Sequence, residues 1–212
     1  DIQYNDNGWH DPSGHLFVLK KDEESIRKGE KIIEPLFIRA NEDEVVEFTF
    51  TNKLPFKIPA SAFDPAQIST ECGLHVHLVK FDVLVSDGAS VGWNYLSGVS
   101  PSSNGLQEEQ ETMSFRWFVD KEFGTTFFHD HLLANYRQKR GLFGSLIVEP
   151  LGSLHYHPHN LSEAIPNGST SGSIAVIKRK EGKFYREFCI AQQDFAPLFT
   201  RAINSFIICL IL

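Results

Sequence analysis

The 212-residue chain is 42% hydrophobic with a formal net charge of −7, which suits one generous globular domain, or one domain and part of another. Its 20 basic residues are scattered along the sequence, so the concentrated positive patch of a nucleic-acid binder is missing. Cys72, Cys189 and Cys209 are widely spaced and form no C-x-x-C, so neither a disulfide framework nor a zinc ribbon is indicated and the redox compartment is left undecided.

Residues 1–30 are polar, with turn signals at Asn7-Gly8 and Pro12-Ser13-Gly14, and are expected to form an arm across the edge of a domain. Residues 31–150 turn to strands. Val46, Phe48 and Phe50 alternate with Glu47, Thr49 and Thr51, the period-2 pattern of a half-buried strand. Further strand-like runs lie at 34–40, 74–85, 112–119, 125–131 and 144–149, between clusters of Gly, Pro, Ser and Asn. This spacing suits an antiparallel β-sandwich, and the connecting segments lack the amphipathic helices of a parallel α/β fold. Two irregular loops are expected, one between Pro55 and Glu71 with Pro59 and Pro65, the other at 86–106 with Trp93 and Tyr95. Residues 131–139 should make a helical turn or two, ended by Gly141.

Residues 151–212 are read as a connector followed by the opening strands of a truncated second β domain. The connector is a loop over 151–173, and the strands are a hairpin, 174–178 with 184–192, turning at Glu181-Gly182. The final run Phe206–Leu212 is wholly apolar. It is too short for a bilayer, which takes about 20 residues, and is read as a strand at which the chain is cut short. No membrane span is expected.

Two pairs, His75-Val76-His77 and His129-Asp130-His131, carry the chemical signal. In a strand, H-x-H puts both imidazoles on one face, about 6–7 Å apart. Two same-face pairs in one domain would be costly to bury with nothing to satisfy them, and imidazole suits copper, zinc, iron and nickel rather than calcium or magnesium. Asp130, between two histidines on one face, should point the other way and serve structure. His10, His15, His155, His157 and His159 are read as satisfied or solvated residues, the last three in a loop with Gly152 and Pro158 that offers no strand to fix their geometry.

The segment Thr126-Phe127-Phe128-His129-Asp130-His131, followed by Gly141-Leu142-Phe143-Gly144-Ser145-Leu146-Ile147-Val148-Glu149-Pro150, closely resembles the first cupredoxin domain of multicopper oxidases. There an aromatic-aromatic-His-x-His strand precedes a Gly-Leu-x-Gly-x-Leu-Ile-Val-x-Pro strand, with another His-x-His upstream. The resemblance runs from about Glu34 to Pro150. The wording of 121–126, 86–98 and 186–198 looks most like large bacterial multicopper oxidases of the manganese-oxidising and ceruloplasmin-like kind.

The resemblance implies an all-β, cupredoxin-like Greek-key sandwich that donates half the histidines of a trinuclear copper cluster, where O2 is reduced to water. His75 would ligate the type 2 copper, and His77, His129 and His131 the type 3 pair. Asp87 would stand beside the cluster as a proton-delivering carboxylate, although Asp87-Gly88 is equally a plain turn. The first His-x-His of the family is usually followed by Gly, where this chain has Leu78. The electron-accepting type 1 copper needs a His-Cys-His motif, and none of the three cysteines is flanked by histidine.

The remaining ligands would then come from a C-terminal cupredoxin domain, in the same parent chain or another subunit, and the chain alone should not turn over. The electron donor would be a metal ion such as Mn(II) or Fe(II), or a phenol as in laccases. The location implied is extracytoplasmic, or on a spore or cell surface. Two other readings stand beside this one: a non-catalytic cupredoxin module that binds copper, and a cupin-type mononuclear metal enzyme using Asp82 with a histidine pair.

Overall fold

The alternation of Val46, Phe48 and Phe50 needs an apolar surface opposite, and the neighbouring strand supplies it. In the computed structural model, which describes residues 1–58, 68–92, 95–101, 112–165 and 172–200, that surface belongs to β8. Strand β4 (Val45–Thr51) pairs antiparallel with β8 (Thr112–Phe118), setting Val46 against Trp117 and Phe48 against Phe115. Phe48 stacks on Phe115 at 5.2 Å and meets Trp117 edge-on at 4.6 Å, geometries that suit the aromatic quadrupole.

The facing sheet has the order β3-β10-β9-β5. Its members are β3 (Leu36–Asn41), β5 (His75–Val76), β9 (Gly124–His129) and β10 (Phe143–Glu149). β10 runs parallel to β3 and antiparallel to β9. Between the sheets lie Leu36, Ile38, Val76, Phe115, Trp117, Phe128, Leu146 and Val148. The result is an all-β sandwich. Phe17, from the N-terminal arm, enters the same core. The arm also forms β1 (Ile2–Gln3), β2 (His10–Asp11) and a short helix α1 (Glu23–Arg27), and Asp11 pairs with buried Arg140 at 2.7 Å.

The expected strand over 74–85 is mostly something else. Only His75–Val76 extends; Leu78 takes a left-handed backbone, φ +68°, and Val83–Ser86 forms a helical turn, α2, whose N-terminus is capped by the Asp82 carboxylate accepting from Leu84 N. A local cap satisfies orphan backbone donors that a lone edge segment would leave unpaired. Within the second expected loop, β6 (Ser90–Gly92) and β7 (Tyr95–Leu96) pair with one another. Trp93, Pro59, Pro65 and the 206–212 run lie outside the described residues. Residues Ala134–Arg137 form the expected turn, α3, continued by a 3-10 turn at Gln138–Arg140.

The 151–173 loop also needs correction: it contains β11 (Leu154–His157) and β12 (Asn160–Ile165). The two pair around the Pro158-His159 turn, and β11 gains a second partner in β13 (Ile174–Lys178), which forms the expected hairpin with β14 (Phe184–Phe188). His155 accordingly sits buried on a strand. This second sheet covers the outer face of β3 and β10. Arg39 reaches Glu187 at 2.7 Å and the Gly172 carbonyl at 2.8 Å, Asn41 donates to the Ser153 carbonyl, and Tyr185 donates to Glu149. Every residue of β3 is therefore buried.

Candidate metal centre

The period of two sorts β9 and β5 into a core face and an outer face. Val76 and Phe128 are buried in the core, so His75, His77, Phe127 and His129 emerge on the opposite side. Register brings the two motifs together: His75 lies across from His129 and Val76 across from Phe128, and His77 N donates to the Phe127 carbonyl. The second sheet covers β3 and β10, which leaves the β9–β5 edge for the histidines.

All four sequence-predicted histidines meet there. Ring centroids separate by 5.3 Å for His75 and His77, 4.7 Å for His75 and His131, and 5.1 Å for His77 and His129. His129 and His131 stack at 5.4 Å. The closest approach is 3.0 Å between the Nε2 atoms of His77 and His129. Two nitrogens on adjacent positions of one ion, each ~2.0–2.1 Å from it, lie about 3 Å apart, so this spacing fits a shared metal. Among the described residues, no three His, Cys, Asp or Glu side chains converge to hold an ion by themselves.

The other ring nitrogens face backbone. His75 Nδ1 is 2.7 Å from the Asp87 carbonyl and 3.6 Å from Asp87 Oδ1, and His129 Nδ1 is 2.7 Å from the Asp130 carbonyl. A carbonyl oxygen can only accept, so both Nδ1 atoms carry the proton and both Nε2 atoms present a lone pair. This is the arrangement that orients a metal-binding imidazole. Burial, and secondarily the neighbouring imidazoles, push the His77 and His129 pKa values below the ordinary histidine range, which favours the neutral, ligating form.

Asp130 turns away from the ring face. Fully buried, it accepts from Gly73 N and Leu133 N at 2.9 Å each and pairs with Arg137 at 3.3 Å. It thereby ties β9 to the segment before β5 and to α3. Asp82, the carboxylate a cupin-type site would use, caps α2 instead.

Three neighbours escaped the sequence reading. Phe81 meets the His75 ring edge-on at 6.0 Å, Phe127 stacks on His129 at 5.0 Å, and the Gln138 side-chain amide lies 2.8 Å from His129 Nδ1. For Phe127 the alternation that placed His129 outward was a usable signal. Gln138 offers none, because the turn that returns it depends on α3 packing.

A family model described as multicopper oxidase matches residues 83–153, about a third of the chain, including His129 and His131. That stretch of the chain is thus similar to part of a multicopper oxidase domain. Among curated proteins none matches. Among solved structures the chain is similar to a multicopper oxidase from Pseudomonas thermotolerans, at 19% identity and a TM-score of 0.37, over 55% of this chain and 22% of that one. This chain therefore spans less than a quarter of that protein's length.

Proposed function

We propose that this chain supplies four ligands, His75, His77, His129 and His131, to a trinuclear copper cluster completed by histidines of another cupredoxin domain. The 3.0 Å approach of the His77 and His129 Nε2 atoms carries the reading. Two ring nitrogens this close hold either a proton or a cation between them, and neutral imidazoles are good copper ligands. In this reading His77 and His129 share one type 3 copper, His131 serves the other, and His75 holds the type 2 ion.

Copper bound there supplies the electron-transfer chemistry by which O2 is reduced to water while a substrate is oxidised. The chain's own residues prepare the site. The Asp87 and Asp130 carbonyls hold the protons on His75 and His129 Nδ1. The Asp87 carboxylate, 3.6 Å from His75 Nδ1, would stand beside the cluster as its proton-delivering group. Electron entry belongs with a type 1 copper on the completing domain, where a metal ion such as Mn(II) or Fe(II), or a phenol, would be oxidised. An extracytoplasmic or cell-surface location goes with this role.

Copper titration of the 212-residue chain tests the assignment. Binding should appear with a non-blue electron paramagnetic resonance signal, weaken in His77→Ala and His129→Ala, and disappear when all four histidines are replaced. O2 consumption should follow only when the protein bearing the remaining ligands and the type 1 copper is supplied. Equal copper binding by the fourfold variant would overturn it.

A further inference from the structure

We infer that Gln138 is a positioning residue for His129: its side-chain amide oxygen accepts from Nδ1–H and locks the tautomer that leaves Nε2 bare. The inference rests on the ligand reading above and goes beyond it, because no family motif or histidine pattern singles out this residue.

His129 Nδ1 has two close neighbours, the Asp130 carbonyl at 2.7 Å and the Gln138 amide at 2.8 Å. One ring nitrogen either donates or accepts. The Asp130 carbonyl only accepts, and it is not free to turn. Asp130 N donates to the Leu142 carbonyl, and the Asp130 carboxylate is held by Gly73 N, Leu133 N and Arg137. Nδ1 therefore bears the proton. A side-chain amide has two ends of nearly the same shape, and the hydrogen-bond network decides which one faces a given atom. The structure sets the Gln138 Nε2 end at this position, but two N–H groups cannot share a 2.8 Å contact, so the amide is assigned the reversed way, with its oxygen facing Nδ1 and the proton shared between two acceptors.

The backbone around Gln138 makes this contact repeatable. Gln138 opens the 3-10 turn; its carbonyl accepts from Gly141 N, and the preceding Arg137 carbonyl accepts from Leu142 N. β10, which begins one residue later and pairs Phe143 with His129, fixes the turn against the strand that carries the histidine.

The alternative tautomer shows what the lock prevents. With the proton on Nε2, His129 could donate to His77 Nε2 across the same 3.0 Å. That hydrogen bond would close the metal-free site by occupying both nitrogens a copper ion needs. Each acceptor at Nδ1 raises the cost of that closed form. Gln138 keeps His129 Nε2 bare before metal arrives.

Long-range proton–nitrogen correlation spectra of the metal-free 212-residue chain read the His129 tautomer directly, and competition with a chromophoric Cu(I) chelator reads affinity. Gln138→Met removes the acceptor at similar volume, and Gln138→Glu keeps one. The wild type and Gln138→Glu should show His129 protonated at Nδ1. Gln138→Met should show an Nε2–H population and bind Cu(I) about tenfold more weakly, the low end for an outer-shell partner. An unchanged tautomer in Gln138→Met, or a changed tautomer with unchanged affinity, overturns the proposal. Absence of Cu(I) binding by the wild type would instead refute the ligand reading, and the tautomer comparison would still decide the role of Gln138.

Discussion

One added methyl group at Gly88 asks how His75 is held. Gly88 has φ +75°, and a Cβ there would lie 2.2 Å from the Leu74 carbonyl and 2.8 Å from His75 N. The crossing of these two backbones delivers the Asp87 carbonyl to His75 Nδ1. Gly8 is a built-in control, with φ +81° and nothing within 4 Å of its added Cβ. Both alanine variants incur left-handed strain of roughly 1–2 kcal/mol. Only Gly88→Ala must also push β5 away from the Asp87 loop. Urea unfolding should show Gly88→Ala losing roughly 2–3 kcal/mol, and copper titration should show weaker binding, while Gly8→Ala keeps wild-type affinity. Equal copper affinity in the two variants would mean that the loop does not position His75.

At the scale of elements, the short reach of β5 follows from Leu78. A leucine at φ +68° is uncommon, and with 67% of its surface exposed it gains little burial in return. The multicopper oxidases it resembles usually place glycine there. Leu78→Gly relieves roughly 1–2 kcal/mol of strain and adds about 0.5–1 kcal/mol of unfolded-state entropy. A net stabilisation of about 0.5–1 kcal/mol is expected in urea unfolding; an unchanged or lowered midpoint would show that the Leu78 side chain contributes contacts of its own. This residue also shows where the sequence was legible. Strands β4, β8 and β9 were readable because their alternation matches one buried face, and β10 because a short apolar run buried on both faces also reads as a strand. The 74–85 run looked equally apolar, but a positive φ at Leu78 and an Asp82 cap outweighed β propensity. β11 and β12 escaped because Pro158 and Gly152 signal a turn without saying that strands flank it. The histidine cluster was legible because its spacing alone sets its face; Gln138 was not, because only tertiary packing returns the turn to β9.

For the molecule as a whole, what joins the second sheet to the sandwich is a buried polar cluster. Glu149 on β10 accepts from Tyr185 of β14 and faces Glu187, which Arg39 of β3 holds at 2.7 Å. Cys189 Sγ lies 3.7 Å from the Arg39 guanidinium, Arg179 lies by Glu122 at 3.5 Å, and Glu42 N donates to the Glu149 carbonyl on the turn where Asn41 binds Glu44. Burial first, and then the Glu187 carboxyl, push the Glu149 pKa up to about 7. Between its ordinary value and about 7 the folded protein therefore holds a proton that the unfolded chain releases. This contribution is complete at acid pH and is lost as pH rises through about 7. His15 works in the opposite sense. Its burial, helped by Arg137 and Arg140, lowers its pKa to about 3, so the unfolded chain binds the extra proton and stability falls as pH drops below the ordinary histidine range. The two effects offset one another in mildly acidic solution, and the wild-type pH profile should be shallow there. Glu149→Gln removes the first effect. Its stability relative to the wild type should improve by roughly 2 kcal/mol between pH 5 and pH 8, read from urea midpoints at each pH. Hydrogen exchange should follow the same course, with β14 amides of the wild type losing protection towards pH 8 while those of Glu149→Gln change little. A parallel offset between the two proteins at every pH would show that Glu149 is ionised throughout this range.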